Sequence, residues 1–278
     1  MSTYSKSQVP ASVGPAMNVF DFGRMKAEGR RISMVTCYDY TMARVVEQSD
    51  VDCVLVGDSV AMVMHGHPST VQATTEMMEF HTSAVARGLK RKFLVADMPF
   101  LSFRKGIGPA LECVDRLMKA GAQAVKLEGV RGHEETVREI VRSGVPVMAH
   151  IGLTPQSIHG LGGFRVQGRD EKSAAELVDQ ARLLEQLGCF SVVLECVPAA
   201  VAKEITRAVR IPTIGIGAGP DCDGQVLVLQ DLLGMNTSFK PRFVRHFAQG
   251  EGWLRDALNA YHRGVLETTF PNESELYL

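Results

Sequence analysis

The stretch Cys53-Val54-Leu55-Val56-Gly57-Asp58-Ser59 begins as a strand buried on both faces and ends by presenting a carboxylate and a hydroxyl just beyond a glycine. Four apolar residues in a row suit a parallel strand covered by helices, where no polar face is left to alternate. The same shape returns at Phe93-Leu94-Val95-Ala96-Asp97. A core strand that delivers an acid at its carboxyl end, twice, makes the strand ends the place to look for chemistry.

Outward from these two runs, short apolar segments alternate with amphipathic ones, the pattern of repeated βα units and a parallel sheet. Eight strands are expected, at 32–37, 53–56, 93–96, 124–127, 147–149, 192–194, 213–216 and 226–229. Helices are expected at 42–48, 75–88, 109–120, 134–143, 173–187 and 199–209. Gly88, Gly121, Gly144 and Gly188 each follow a periodic segment, where a left-handed helix stop favours glycine. Pro146 and Pro212 stand just ahead of strands, where a missing N–H costs no ladder bond.

The connections after the strands carry the polar residues, and two are long, 58–73 and 151–172. Both an open doubly wound sheet and a closed (βα)8 barrel place ligands beyond strand ends. The open sheet favours a glycine-rich phosphate turn after its first strand, and here that strand ends in Thr36-Cys37-Tyr38-Asp39. The expected fold is therefore α/β, a single (βα)8 TIM barrel domain over residues 1–278. Residues 1–18 read as a flexible N-terminal arm, and about 240–278 as a C-terminal helical extension with helix near 241–262.

Composition narrows the function classes. Lys and Arg total 30 against 31 Asp and Glu, a formal charge of -1, so no field draws nucleic acid or an anionic membrane surface. No apolar run approaches the roughly 20 residues of a membrane span. The first 18 residues lack the apolar core of a signal peptide, which makes cytoplasmic localisation the expectation. The six cysteines form no C-x-x-C pair, and several lie inside apolar runs, as reduced, buried side chains do.

The strand ends supply Asp58 with Ser59, Asp97, Lys126 with Glu128, His150 and Glu195. Any one acid there is also an ordinary helix N-cap. Several brought together at a barrel mouth repel one another unless a cation lies among them, and an all-oxygen site with water suits Mg2+. In Ala124-Val125-Lys126-Leu127-Glu128 alternation puts Lys126 and Glu128 on one face. A lysine beside a divalent ion suits an anionic substrate whose oxygen gains charge, such as a 2-oxo acid becoming an enolate. A salt-bridged surface pair and a Schiff-base lysine both stay open. Glu195, between Ser191-Val192-Val193-Leu194 and Cys196-Val197-Pro198, is expected to be buried in apolar surroundings that raise its pKa and make it a general base or acid. His150 reads equally as a second proton carrier or a hydrogen-bonded core histidine. Gly215-Ile216-Gly217-Ala218-Gly219 reads first as close backbone packing against a bulky ligand or a tight barrel turn, and second as a phosphate cradle, and His65-Gly66-His67 as part of a lid.

Taken together, Thr36-Cys37-Tyr38-Asp39, Val56-Gly57-Asp58-Ser59, Gly66-His67 with Ser69-Thr70, Ala96-Asp97-Met98-Pro99-Phe100, Val125-Lys126-Leu127-Glu128-Gly129, His150-Ile151-Gly152-Leu153-Thr154-Pro155-Gln156-Ser157, Gly162-Gly163 with Val166-Gln167-Gly168, Leu194-Glu195-Cys196-Val197-Pro198 and residues 215–219 resemble the ketopantoate hydroxymethyltransferase family over about 32–247. The resemblance implies a (βα)8 barrel, Mg2+, and transfer of a hydroxymethyl group from 5,10-methylenetetrahydrofolate to 3-methyl-2-oxobutanoate on the pantothenate route. It implies Asp58 and Asp97 at the metal, Glu128 at or near it through water, Ser59 and Lys126 on the keto acid (with Asp58 and Asp97 reaching it through the metal), and Glu195 as proton acceptor. It further implies a homo-oligomer, commonly a decamer. Val130 departs from the second glycine frequent after Glu-Gly in the family. Two rivals remain at this stage: a lyase or mutase of the metal-enolate barrels, which would be expected to carry a lid-loop cysteine that 151–172 lacks, and a non-catalytic barrel that binds an acidic metabolite or scaffolds an assembly.

Overall fold

Alternate residues of a strand point to opposite faces, and here the inward set changes character along each strand. The chain is described by a computed structural model over residues 15–237 and 241–277. Eight strands, β1 Ile32–Thr36, β2 Cys53–Val56, β3 Phe93–Asp97, β4 Ala124–Glu128, β5 Val147–Gly152, β6 Ser191–Glu195, β7 Thr213–Ile216 and β8 Gly224–Leu227, close into one barrel in sequence order. Every neighbouring pair is parallel, β8 closing on β1. At the amino ends the inward residues are apolar: Ile32, Met34, Cys53, Leu55, Phe93, Val95, Ala124, Met148, Val193 and Ile214 form one buried cluster. Two residues further along the same faces come Asp97, Lys126, His150 and Glu195. The alternation that fills the core thus also aims the polar groups into the mouth.

Helices α1 Val19–Ala27, α2 Tyr40–Glu47, α3 Val60–Val63, α4 Thr75–Gly88, α5 Ile107–Lys119, α6 Glu134–Arg142, α7 Glu171–Gln186, α8 Ala199–Ala208, α9 Leu229–Leu232 and α10 Gly250–Leu266 complete the architecture. Outward-facing Val54, Val56, Leu94, Ala96, Val125 and Leu127 meet α2 and α4 to α8 in the larger core. One unit departs from the repeat: β7 reaches β8 through a short loop, 217–223, in place of a helix. Among the described residues no helix is long and apolar enough to cross a membrane.

The barrel floor is closed by α1, an element absent from the sequence expectation. Asn18 caps it with a capping box, and its two buried residues, Phe22 and Met25, lie one turn apart. Phe22 meets the Phe93 and Phe190 rings edge-on at 5.3 and 5.0 Å. Burying two such side chains contributes roughly 1.5–3 kcal/mol each. Lys26 locks the plug, its ammonium donating to the carbonyls of Thr206, Val209 and Ile211 at 3.0 Å each and pairing with Asp223 at 3.0 Å. Lys26→Met keeps the aliphatic stem and loses those charged bonds. The expected loss is about 2 kcal/mol of unfolding free energy, read from the denaturant midpoint, with the metal requirement for turnover unchanged.

Several boundaries differ from the expected ones. Strands β3, β4 and β6 run one residue further, through Asp97, Glu128 and Glu195, because those acids still take part in ladder pairing. Strand β8 begins two residues earlier than expected, at Gly224, whose missing side chain lets it approach Ile32: an added Cβ would lie 2.5 Å from the Ile32 carbonyl. Gly88 is no left-handed stop; it is the last residue of α4, and its small size lets α4 meet Ala43 of α2. At the carboxyl end 241–249 is irregular, and the helix runs over Gly250–Leu266 with no buried residue. Of the expected flexible arm, residues 1–14 lie outside the described part, and Asn18 belongs to the α1 cap.

Candidate active site

Strand register sets the first contacts. Asp97 and Lys126 are direct neighbours across β3 and β4, and Glu128 and His150 across β4 and β5. Neighbours in register share a face, so Lys126 Nζ comes within 2.6 Å of Asp97 Oδ1, and His150 Nδ1 lies 3.3 Å from Glu128 Oε1 and 3.5 Å from Lys126 Nζ. The other ring nitrogen of His150 is 3.2 Å from Glu195 Oε2. Glu195 itself pairs in register with Gly152, at φ +93, where an added Cβ would fall 2.4 Å from the Glu195 carbonyl oxygen. Glycine at 152 lets the β6 backbone at Glu195 and the Val197 side chain approach β5 closely.

Asp58 stands just past β2 and takes no ladder bond of its own. Its backbone N–H donates to Asp97 Oδ2 at 3.0 Å, and its Oδ2 accepts from Gln156 Nε2 at 2.8 Å. Gly57 permits this crowding, since a Cβ there would meet Ser59 Oγ at 2.8 Å. Ser59 is half-buried at the start of α3, its hydroxyl 2.7 Å from the buried Tyr38 hydroxyl. His81 of α4 supports Tyr38, with Nδ1 2.6 Å from the Tyr38 carbonyl, and His65 Nε2 lies 2.9 Å from His81 Nε2. The exposed loop read as a lid is thereby tied back to the barrel through one of its histidines.

All the expected site residues therefore gather at the carboxyl end of one barrel. Asp58, Asp97, Lys126, Glu128 and His150 are buried, whereas the Glu195 side chain is 16 % exposed, with the His150 ring as its neighbour rather than a purely apolar wall. Burial, together with the charges of Asp97 and Glu128, pushes the Asp58 carboxyl well above its ordinary range. Asp97 is also raised by burial, against the opposing pull of the Lys126 ammonium. For Lys126, burial disfavours the charge, and Asp97, Glu128 and Asp58 outweigh it, so the ammonium is held charged. Burial and Lys126 likewise oppose a charged His150, but Glu128 and Glu195 prevail and bring it up to about 9. The contacts of the ring with Glu128 and Glu195 are ion pairs by distance, and Nε2 lies off hydrogen-bond geometry to Glu195.

Four carboxylates, Asp58, Asp97, Glu128 and Glu195, thus face one lysine and one histidine. The imbalance when all are ionised equals the charge of one divalent cation. The pairing of Asp97 Oδ1 with Lys126 lies off hydrogen-bond geometry, which leaves this buried oxygen with lone-pair capacity. Among the described residues no three His, Cys, Asp or Glu side chains converge as a ready-made metal cage. Mg2+ does not ask for one, since it keeps several waters and takes one or two protein carboxylates plus substrate oxygens. The donor set fits that ion.

Two contributors escaped the sequence reading, although both lie in quoted motifs. Tyr38 orients Ser59. Gln156, in a short 3-10 turn at Pro155–Ser157, gives its backbone N–H to Glu128 Oε2 at 2.9 Å as well as its side chain to Asp58. Its one signal was a polar residue after a proline in the loop following a strand. At Gly215-Ile216-Gly217-Ala218-Gly219 the close packing is against the protein itself and not against a ligand: Gly217 lies against the Phe243 ring and Gly219 against Ala199.

The family model described as ketopantoate hydroxymethyltransferase matches residues 16–273. The chain belongs to the ketopantoate hydroxymethyltransferase family. Proteins named 3-methyl-2-oxobutanoate hydroxymethyltransferase are similar throughout: that of Bdellovibrio bacteriovorus is 56% identical over 259 residues, covering 93% of this chain and 98% of that protein. That of Legionella pneumophila is 55% identical over 256 residues, 92% and 98% of the two chains, and that of Francisella tularensis subsp. novicida 51% over 260 residues, 94% and 98%. As a member of the ketopantoate hydroxymethyltransferase family the chain is an enzyme, a transferase of one-carbon units, which removes the scaffold and lyase alternatives. Solved barrels share its fold at low identity: a phosphonopyruvate hydrolase crystallised with oxalate and Mg++ superposes with TM-score 0.63 at 12% identity over 93% of each chain. A 2,3-dimethylmalate lyase superposes with TM-score 0.57 at 14% identity, over 95% of this chain and 91% of that one.

Proposed function

We propose that the enzyme transfers a hydroxymethyl group from 5,10-methylenetetrahydrofolate to 3-methyl-2-oxobutanoate, giving 2-dehydropantoate and tetrahydrofolate for pantothenate synthesis. The observation that carries the reading is the group of four strand-end carboxylates around Lys126 and His150 in a chain of this family. Asp58 and Asp97 would hold Mg2+ directly; Glu128, whose oxygens already meet Gln156 and His150, would act through water. When bound, the ion stabilises negative charge developing at the 2-oxo oxygen.

The chain's own groups divide the remaining work. Lys126 and the Ser59 hydroxyl face the acid's anionic end, and Tyr38 holds that hydroxyl in place. Glu195 Oε2 accepts the C3 proton. His150, bridging Glu128 and Glu195, holds the Glu195 carboxylate where it can reach that proton. The C3 carbon then bonds to the methylene carbon as one of its two carbon–nitrogen bonds to the folate breaks, water oxygen replaces the second, and the C3 proton and a water proton end on the two nitrogens of the departing tetrahydrofolate. The loops after β2 and β5 are suited to cover a flat pterin, the latter with Phe164 and Val166 exposed.

Cytoplasmic localisation and a homo-oligomer, commonly a decamer in the family, complete the proposal. Exposed Trp253, Leu258, Tyr261 and Leu266 on α10 support association with a second copy. Mass spectrometry of the product formed from methylenetetrahydrofolate and 3-methyl-2-oxobutanoate tests the function. A chelator is expected to lower the rate at least a hundredfold, restored by excess Mg2+; a rate indifferent to chelator would remove the metal from the reaction.

A further inference from the structure

We propose that Gln156 is a positioning residue that makes cation binding at Asp58 conditional on the seating of the long loop after β5. The inference deepens the divalent-cation reading above and rests on it. Three hydrogen bonds leave this one buried residue for the ends of three other strands. Its side-chain nitrogen donates to Asp58 Oδ2 at 2.8 Å and to the Met98 carbonyl at 2.9 Å, while its backbone N–H donates to Glu128 Oε2 at 2.9 Å. Met98 directly follows Asp97, so the planar amide sets the Asp58 carboxylate in a fixed relation to the end of β3.

Asp58 needs such a support more than its neighbours do. Asp97 and Glu128 end ladder-paired strands, and strand geometry aims them; Asp58 lies beyond its strand. A charged donor at that place would compete with a cation for the same oxygens. Glutamine aims the carboxylate and adds no charge. The residue doing this belongs to the turn Pro155–Ser157, which opens a loop whose next ten residues are largely exposed, with Gly162 and Gly163 at positive φ. Lifting the loop withdraws the amide from Asp58 and the N–H from Glu128 together. Loop closure and assembly of the acid cluster are then one event, which limits a tightly held ion to the covered site.

The test is Mn2+ binding to metal-free protein, followed by the free-ion electron paramagnetic resonance signal, for wild type and Gln156→Met. Methionine keeps the length and loses the donors. At least a tenfold rise in the Mn2+ half-saturation is expected, with faster amide hydrogen exchange over residues 158–167 and a thermal midpoint near wild type. If Gln156→Met does not fold, Gln156→Asn serves: it keeps the donors on an arm one methylene shorter and is expected to weaken Mn2+ at least threefold. Wild-type Mn2+ affinity in the folded variant, or a lowered midpoint with unchanged affinity, would make Gln156 merely structural and overturn the inference alone. A wild type that binds no Mn2+ overturns the cation reading itself.

Discussion

Replacing Glu195 by glutamine is expected to slow exchange of the substrate C3 hydrogen with solvent deuterium about a thousandfold, while 3-methyl-2-oxobutanoate binds within about threefold of wild type. The change is isosteric and removes only the ability to take a proton. In the proposed site the oxo acid would be gripped from other strands, by Lys126 on β4 and through the metal at Asp97 on β3, which would leave affinity in place. His150 keeps its Glu128 contact at 3.3 Å and remains seated. Exchange followed by proton resonance checks the rate, and calorimetry checks the binding. Exchange at the wild-type rate in this variant would move the base to another residue.

Asp58→Asn is expected to do two things of opposite benefit: abolish at least 99 % of turnover, a hundredfold or greater loss, and stabilise the metal-free protein by roughly 0.5–2 kcal/mol, the usual gain when a destabilised functional charge is removed. Burial and the charges on Asp97 and Glu128 all work against an ionised Asp58. An asparagine removes that repulsion, and its amide oxygen still accepts from Gln156. Sites assembled from like charges commonly cost stability in this way. The denaturant midpoint of metal-free protein and the initial rate are the two readings. Loss of both together would class Asp58 as a structural residue.

The fold was legible because a parallel barrel writes itself as unbroken apolar runs at regular intervals, and all eight runs are strands. What blurred the boundaries was the chemistry: Asp97, Glu128 and Glu195 look like loop residues by polarity but remain in the ladder, where the mouth of the barrel tolerates their charge. Strand β8 was displaced because Gly224 and Gln225 carry no apolar signal, although the closing pair with β1 needs a glycine there. The plug α1 was invisible for a related reason. Only Phe22 and Met25 of its nine residues are buried, too short a stripe to stand out next to the chain's amino end.

The acids of the site were readable singly, since each follows an apolar strand, but their mutual geometry was not. That Lys126 neutralises Asp97, and that His150 spans Glu128 and Glu195, follow from strand register, which no local pattern encodes. Gln156 was the hardest to read. A neutral residue in a loop carries no charge signal, and its importance appears only when the ends of β2, β3 and β4 are seen to meet it.

The proposed chemistry requires Asp58 and Asp97 to share one divalent cation that chelates a 2-oxo acid. Metal-free protein loaded with Mn2+ and given 3-methyl-2-oxobutanoate labelled with oxygen-17 at the carboxylate or the ketone tests it through electron paramagnetic resonance line broadening. Broadening is expected from each label in the wild type and from neither in Asp97→Ala. Sharp, unaltered lines with both labels in the wild type would contradict it.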